Sequence, residues 1–265
     1  MMATRLLFAF AATASAFTIP AAPSPARIST IKPLISAQKL RGGNGGGAEM
    51  SALTATVCPA LGFVLSNALY YSPVPSLQES VKKGDLGSLN PLPSALVVIS
   101  ANAWLCYGLS CKNPWIAATN LPGSIVGIYQ LVTMLPLMKG HPKLGQVQAV
   151  ILGGGTLTMG LWAKLIFGGA TAAARSYALG LYATAICIIL FASPLSTIAD
   201  VIKTRDASSI LAPLTASQCA NCLLWTVYGI FSAKDIFVWG PNGTGLILGL
   251  VQLALKVVFA SKQEE

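Results

Sequence analysis

The sequence contains little charge: only 9% of its 265 residues are Asp, Glu, Lys or Arg, whereas 54% are hydrophobic. A typical soluble domain carries about 25% charged residues. This shortage argues against a soluble fold with a single core. It favours an integral membrane protein whose surroundings are the lipid bilayer.

Patterns for metals, cofactors or catalysis are also missing. His141 is the one histidine, and the six cysteines are scattered, mostly inside apolar runs. Cys219 and Cys222 form a C-x-x-C pair, but it lacks the second pair or the nearby His of a zinc site. We therefore expect no metal and no cofactor. With no nucleotide-binding loop and no nucleophile beside a base, we expect no enzyme.

The net charge of +9 does not indicate nucleic-acid binding. The basic residues occur singly or in pairs in short loops, without a basic stripe or interleaved aromatic residues. The first acidic residue is Glu49, so residues 1–48 carry basic charge only. This imbalance marks the N-terminal stretch as different from the rest of the chain.

Residues 1–50 have the composition of a disordered targeting leader. Residues 1–16 combine Arg5, a short apolar stretch and an exit of small residues, which is typical of a signal peptide. Residues 17–48 are rich in Ser, Ala and Pro and resemble a transit peptide. The junction "ASAF" at 14–17 resembles plastid-targeting leaders of algae with complex plastids, which implies a plastid envelope. An ordinary signal peptide followed by a flexible linker is the alternative, with the plasma membrane or an endomembrane as the destination.

Seven apolar stretches follow the leader, and each is long enough for a membrane helix of about 20 residues. They cover residues 53–71, 92–109, 115–138, 144–167, 177–199, 211–231 and 236–259. Basic residues are more frequent on one side of these spans than on the other. That side holds Lys82, Lys83, Lys139, Lys143, Lys203, Arg205, Lys256 and Lys262, against Lys112, Lys164, Arg175 and Lys234 opposite. The imbalance predicts a C-terminus on the cytosolic side.

The two halves of the chain repeat each other at an interval of 120 to 122 residues. The matched pairs are Pro73 with Pro194, Asp85 with Asp206, Pro93 with Pro213, Trp104 with Trp225, Gly108 with Gly229, Asn120 with Asn242, Gly123 with Gly245, and Gln130 with Gln252. Two three-helix units with the same orientation require one unpaired helix between them. We therefore predict an all-α membrane protein of seven helices in a 3+1+3 arrangement. The expected divisions are a first repeat at 51–139, a linker helix at 140–170, a second repeat at 171–260 and a short cytosolic tail at 261–265.

The repeat segments resemble the SWEET family of bidirectional sugar transporters. The resemblance covers residues 53–259 and is strongest in "ASPLSTIADVIKTRD", "LLWTVYG", "KDIFVWGPNGTG" and "LGLVQLALKVVF". It implies facilitative transport of mono- or disaccharides, of the glucose, fructose or sucrose class, by alternating access. It also implies a cytosolic C-terminus, the side that the basic residues predict. Family members often form homo-oligomers, and we carry that expectation over.

The candidate substrate site combines two asparagines with two tryptophans. The amide of an asparagine inside a membrane needs partners, and Asn120 and Asn242 could grip the hydroxyls of a sugar from the two repeats. The flat rings of Trp104 and Trp225 could cover the apolar face of that sugar. Packing between helices, or a place at the membrane interface, is the alternative for these side chains. The resemblance adds four pocket-lining positions: Ser66, Ser100, Leu190 and Asn221. The bulk of Leu190 favours monosaccharides.

Four prolines are candidate hinges for alternating access: Pro73, Pro93, Pro194 and Pro213. Proline removes a helical hydrogen bond and permits a kink. The resemblance implies such a role, although the family position in the sixth helix matches a residue nearer Leu211 than Pro213. A plain helix end is the alternative reading for Pro73 and Pro194, where charged loops follow.

Two other functions compete with sugar transport. An amino-acid exporter of the related PQ-loop group would carry Pro-Gln at the breaks, whereas here they read Pro73-Val74 and Pro194-Leu195. A seven-helix receptor or scaffold that transports nothing is not expected to contain an internal repeat. The predicted helix cores contain no Asp or Glu, which favours transport driven by the sugar gradient over coupling to protons.

Overall fold

The computed structural model describes residues 52–87 and 89–259, and within them the chain forms nine α-helices and no strand. The helices are α1 Cys58–Tyr71, α2 Val74–Lys83, α3 Leu92–Ser110, α4 Pro114–Met134, α5 Leu144–Phe167, α6 Ala172–Leu190, α7 Ala192–Thr204, α8 Ala212–Tyr228 and α9 Ile236–Phe259. π-helical turns precede α1 at Leu53–Val57 and follow α8 at Gly229–Ala233, and a 3₁₀ turn follows α4 at Leu135–Met138. The predicted leader at 1–50 and the tail at 261–265 lie outside the described residues.

Within the described residues, six helical segments are long and apolar enough to cross a membrane: Leu53–Lys83, Leu92–Ser110, Pro114–Met138, Leu144–Phe167, Ala172–Thr204 and Ile236–Phe259. The sixth predicted span, 211–231, is helical as well, through the 17 residues of α8 and the π turn after it. The predicted end at 71 coincides with the end of α1, although the helical segment continues after the break at Pro73 to Lys83, and the fifth span begins at Ala172, before the predicted start at 177. Helical hydrogen bonding continues past the point where the apolar run stops.

The helices form two three-span units related by the repeat. Helices α1 to α4 build the first unit, α6 to α9 build the second, and α5 packs against α3 between them. Within the units α3 packs on α4 and α8 packs on α9; between them α1 contacts α8 and α3 contacts α6. Because α1 corresponds to α6 and α3 to α8, the two contacts across the units are equivalent. The predicted 3+1+3 fold is confirmed, and the predicted divisions near 139 and 170 fall between helices.

The four candidate hinge prolines occupy two kinds of position. Pro73 separates α1 from α2, and Pro194 is the third residue of α7, so both lie at breaks inside longer helical segments. At the first break the hydroxyl of Ser72 donates to the carbonyl of Leu69 at 2.8 Å, the carbonyl that Pro73 cannot serve. Pro93 and Pro213 are the second residues of α3 and α8. There a proline costs no helical hydrogen bond, because the first N–H groups of a helix are unpaired anyway.

The ends of α2 and α7 define one side of the molecule, here called the basic side. Lys82 and Lys83 lie in the last turn of α2, and Lys203 lies in the last turn of α7. Both helices end at a residue with positive φ, Gly84 at 73° and Arg205 at 57°. The repeat therefore extends beyond the helices to the turns that close them.

Candidate functional site

A cavity of about 600 Å³ lies between the two units and is lined by residues of both. It extends from Ile116 and Val238 towards the basic side, where Thr197 and Leu214 line it. All eight residues predicted to contact substrate line this one cavity: Ser66, Ser100, Trp104, Asn120, Leu190, Asn221, Trp225 and Asn242. Of the candidate hinge prolines, Pro93 and Pro194 line it too. The structure thus brings the predicted residues together, while their role in binding stays a prediction.

The cavity wall combines neutral polar groups with apolar surface. None of the described residues that line it is Asp, Glu, Lys, Arg or His. Its polar groups are amides, hydroxyls and thiols, which can donate and accept hydrogen bonds without carrying charge. Such a wall suits an uncharged ligand with several hydroxyl groups. A cationic or anionic ligand would enter without a counter-ion, at a high cost of desolvation.

The two asparagines of the site begin from the same local arrangement. The amide nitrogen of Asn120 donates to the carbonyl of Ile116 at 2.8 Å, and that of Asn242 donates to the carbonyl of Val238 at 2.8 Å. This bond to the carbonyl four residues earlier fixes each side chain against its own helix. Each amide keeps a second N–H for another partner.

The two tryptophans are each held by the opposite unit. The indole N–H of Trp225 donates to the hydroxyl of Ser66 at 3.3 Å, and that hydroxyl donates to the amide oxygen of Asn221 at 2.9 Å. In the equivalent place the indole N–H of Trp104 donates to the sulfur of Cys187 at 3.3 Å. Cys187 was not among the predicted site residues, although it lies 121 residues after Ser66 and is therefore its counterpart in the repeat. These bonds fix the two rings at the interface between the units.

Four residues close the side opposite the basic side, and we call them the latch: Tyr107, Asn113, Tyr228 and Asp235. The hydroxyl of Tyr107 donates to the carboxylate of Asp235, and the amide of Asn113 donates to the hydroxyl of Tyr228 at 2.8 Å. Each bond joins one unit to the other, and the two are equivalent under the repeat. Asn113 and Asp235 also cap the first turns of α4 and α9. The structure therefore has its cavity closed on the latch side.

Beneath the latch, buried apolar residues complete the closure. Tyr107 stacks edge-on against Trp104 with ring centroids 5.7 Å apart, and Tyr228 stacks on Trp225 at the same separation. Ile116 and Val238 are buried in the same cluster. The latch residues were not among the predicted site residues, although the tyrosines are 121 residues apart and the capping residues 122. Polar residues are common at helix ends as caps, so their presence there did not indicate a contact between the units.

The chain is similar to known sugar transporters. A family model described as "sugar efflux transporter for intercellular exchange" matches residues 57–140 and 177–264. Bidirectional sugar transporter SWEET11 of Arabidopsis thaliana is 29% identical over 202 residues, which cover 75% of this chain and 68% of that relative. Sugar transporter SWEET1 of Caenorhabditis elegans is 26% identical, over 82% of this chain and 66% of its own length. The 3.7 Å structure of a eukaryotic SWEET transporter matches with a TM-score of 0.68 at 24% identity, covering 80% of this chain and 100% of that one, which is a likeness of fold.

Proposed function

Because this chain belongs to the SWEET family of sugar transporters, we propose that the cavity between its units is where a sugar binds during transport. The protein is an integral multi-pass membrane protein and a facilitative transporter, not an enzyme. The observation that carries the proposed site is the meeting of Asn120 and Asn242, one from each repeat, in a cavity wall without charged side chains. A neutral amide pair can hydrogen-bond to the hydroxyls of a sugar, but it supplies no opposite charge for the ammonium and carboxylate groups of an amino acid.

Transport by alternating access requires the cavity to close on one side and open on the other. The latch holds the units together on one side, while the cavity lining reaches Thr197 and Leu214 on the basic side. We propose that the cavity opens to the other side of the membrane when the latch breaks and the basic side closes. Bending at Pro73 and Pro194 would supply the closure, since these prolines interrupt the segments that reach the basic side.

The sugar class that we propose is the monosaccharides. Leu190 and Leu69, which is its counterpart 121 residues earlier, both line the cavity. Two bulky apolar side chains in equivalent places narrow the space from both units at once. Unlabelled glucose and fructose should therefore inhibit the uptake of labelled glucose more strongly than sucrose does. Replacing both leucines by alanine should raise the uptake of sucrose relative to glucose; an unchanged ratio would refute this reasoning.

Liposomes that contain the purified protein provide the test of the site. Asn242→Ala should raise the KM for labelled glucose about two- to tenfold, because one hydrogen bond to the sugar is worth about 0.5–1.5 kcal/mol. Asn102→Ala is the matched control, since Asn102 makes the same bond to the carbonyl four residues earlier, at 2.8 Å to Val98, outside the cavity lining. A protonophore should leave the initial rate unchanged. Equal KM values for Asn242→Ala, Asn102→Ala and the wild type would refute the site.

The membrane, the orientation and the assembly belong to the same proposal. We propose that residues 1–50 direct the protein to a plastid envelope and that its C-terminus faces the cytosol. A fluorescent protein fused after residue 50 should label plastids, and labelling confined to the plasma membrane or secretory vesicles would refute this. A pH-sensitive fluorescent protein at the C-terminus should respond only to cytosolic pH. We also propose that copies associate as homo-oligomers, which cross-linking in native membranes would detect.

A further inference from the structure

The two asparagines of the cavity differ in the state of their amide oxygens. The hydroxyl of Tyr70 donates to the amide oxygen of Asn120 at 3.2 Å. Among the described residues, no donor reaches the amide oxygen of Asn242. Two side chains that the repeat makes equivalent therefore offer different groups to a ligand.

The difference comes from one hydroxyl group at equivalent positions in the two repeats. Tyr70 lies three residues before Pro73, and Phe191 lies three residues before Pro194, at the 121-residue interval. Both side chains line the cavity. The phenylalanine ring has no hydroxyl to donate, so the second repeat lacks the bond that the first repeat makes.

Each ring packs beside a glycine one turn after the asparagine, more closely in the first repeat than in the second. A Cβ on Gly123 would overlap the ring of Tyr70, and a Cβ on Gly245 would lie 3.5 Å from Cε1 of Phe191. The absence of a side chain at each glycine lets the ring approach the helix that carries the asparagine. The packing is thus shared by the two repeats, and the hydroxyl is what distinguishes them.

Tyr70 is also held firmly in place from behind. Its backbone carbonyl accepts from the side-chain amide of Gln130 at 2.8 Å, and the oxygen of that amide accepts from the hydroxyl of Ser94 at 2.9 Å. Gln130 is buried. Its counterpart Gln252 lines the cavity and makes no hydrogen bond within the described part of the chain. Within the described residues, Gln130 thus has partners for both ends of its amide, whereas Gln252 has none and is available to a ligand.

We propose that Tyr70 is a specificity-determining residue that makes the two walls of the sugar site chemically unequal. With one lone pair of its amide oxygen engaged by Tyr70, Asn120 is a weaker acceptor than Asn242 and faces the cavity chiefly as an N–H donor, so it holds a sugar hydroxyl as an acceptor. Asn242 keeps its oxygen and holds a sugar hydroxyl as a donor. The unequal walls select the orientation in which one sugar can bind. This inference rests on the proposed sugar site and assigns the polarity of its two halves.

Deoxy and fluoro analogues of glucose test the inference, because replacing a hydroxyl by fluorine removes the donor and leaves a weak acceptor. Each monodeoxy and monofluoro glucose competes with labelled glucose for uptake into liposomes. For the wild type, replacing the sugar hydroxyl that faces Asn242 by either hydrogen or fluorine should raise the inhibition constant. The hydroxyl that faces Asn120 should tolerate fluorine but not its removal. Each loss should raise the inhibition constant about three- to tenfold, the value of one hydrogen bond.

Tyr70→Phe should free the oxygen of Asn120 and make the two walls alike. The position that tolerated fluorine should then lose about three- to tenfold in affinity when it carries fluorine instead of hydroxyl. Phe191→Tyr tests the reverse change and should make the position that faces Asn242 tolerant of fluorine. Tyr71→Phe is the matched control, because Tyr71 is exposed and lies outside the cavity lining, and its analogue profile should equal that of the wild type.

The possible failures are distinguishable. If the wild-type protein transports glucose, and Tyr70→Phe shows the same ratio of fluoro to deoxy inhibition constants as the wild type at every position, the inference is overturned and the proposed site stands. If Asn242→Ala has the same KM for glucose and the same analogue profile as the wild type, the proposed site and the inference are both overturned. Thermal unfolding in detergent shows whether each variant is folded.

Discussion

The latch opposite the basic side should decide which side of the membrane the cavity faces. Tyr107→Phe removes the donor to the carboxylate of Asp235 and leaves the ring packing in place. A hydrogen bond to a charged group contributes about 1.5–3 kcal/mol, so the latched state should lose about 10- to 100-fold in relative population. Tyr228→Phe removes a bond between neutral groups, from Asn113 at 2.8 Å, worth about 0.5–1.5 kcal/mol. The latched state of Tyr228→Phe should therefore lose about two- to tenfold in relative population.

Distances between spin labels on the latch side would report this shift. Leu109 and Ile230 are suitable positions, because they are 59% and 43% exposed and are equivalent under the repeat. In a background without native cysteines, labels at both should show mainly one short distance in the wild type. Tyr107→Phe should add a population at longer distance, and Tyr228→Phe should add a smaller one.

The shift in Tyr107→Phe should be larger than that in Tyr228→Phe, because only the first loses a bond to a carboxylate. Tyr177→Phe is the control, because no hydrogen bond to its hydroxyl is present among the described residues, and its distance distribution should equal that of the wild type. A shift in Tyr228→Phe as large as that in Tyr107→Phe would contradict the role assigned to the carboxylate. Identical distributions in all variants would show that the latch does not hold this side closed.

Two further predictions concern the unequal repeats. Gly123→Ala should lower the free energy of unfolding by about 1–3 kcal/mol, because its Cβ would overlap the Tyr70 ring, whereas Gly245→Ala should cost less; thermal unfolding in detergent would measure both. Gln130→Leu should cost about 1–3 kcal/mol by leaving two buried partners unpaired, while Gln252→Leu should leave stability unchanged and lower glucose affinity. Equal effects of the paired substitutions would count against unequal repeats.

The 3+1+3 fold and the residues of the cavity could be predicted from the sequence because two independent signals agree. Runs of about 20 apolar residues predict the spans, and the 121-residue interval relates the spans to one another. Once Trp104 corresponds to Trp225 and Asn120 to Asn242, these pairs are expected to face a shared interface, and they line the cavity together.

The contacts between the units could not be predicted in the same way. Ser66 and Trp225 are 159 residues apart in the chain, and their hydrogen bond depends on how α1 packs against α8. Tyr107 and Asp235 are 128 residues apart, and the pairing crosses from one repeat to the other. A repeat shows which residues are equivalent, but it does not show which residues touch. The continuation of the first helical segment past Pro73 to Lys83 was hidden for another reason, since charge in the following turns looked like the end of a span.

Among the described residues, the basic side of the first unit holds a larger buried apolar cluster than that of the second, where Val201, Ala207 and Ile210 are buried together and polar contacts add to them. In the first unit, apolar side chains are packed almost without exposure: Leu77, Leu86, Met134, Met138 and Val147. In the second unit, the amine of Lys256 donates to the carbonyl of Ala207 at 2.8 Å, and Arg205 lies 5.4 Å from the ring centroid of Phe259. A bond from the backbone N–H of Ser208 holds the pKa of Asp206, in the same turn, below its ordinary value.

This difference indicates which unit moves when access is exchanged. A buried apolar cluster must lose many contacts to deform, whereas exposed polar contacts exchange with water at little cost. Val147, at the start of α5, is part of the cluster in the first unit, and further along α5 the hydroxyl of Thr158 lies 2.6 Å from that of Tyr182 on α6, so the linker helix contacts both units. The second unit also contributes the free amide oxygen of Asn242 and the unpaired Gln252. Asn242 and Gln252 therefore lie in the unit whose buried cluster is the smaller one, and we expect a sugar bound to their amides to act on the helices that deform more readily.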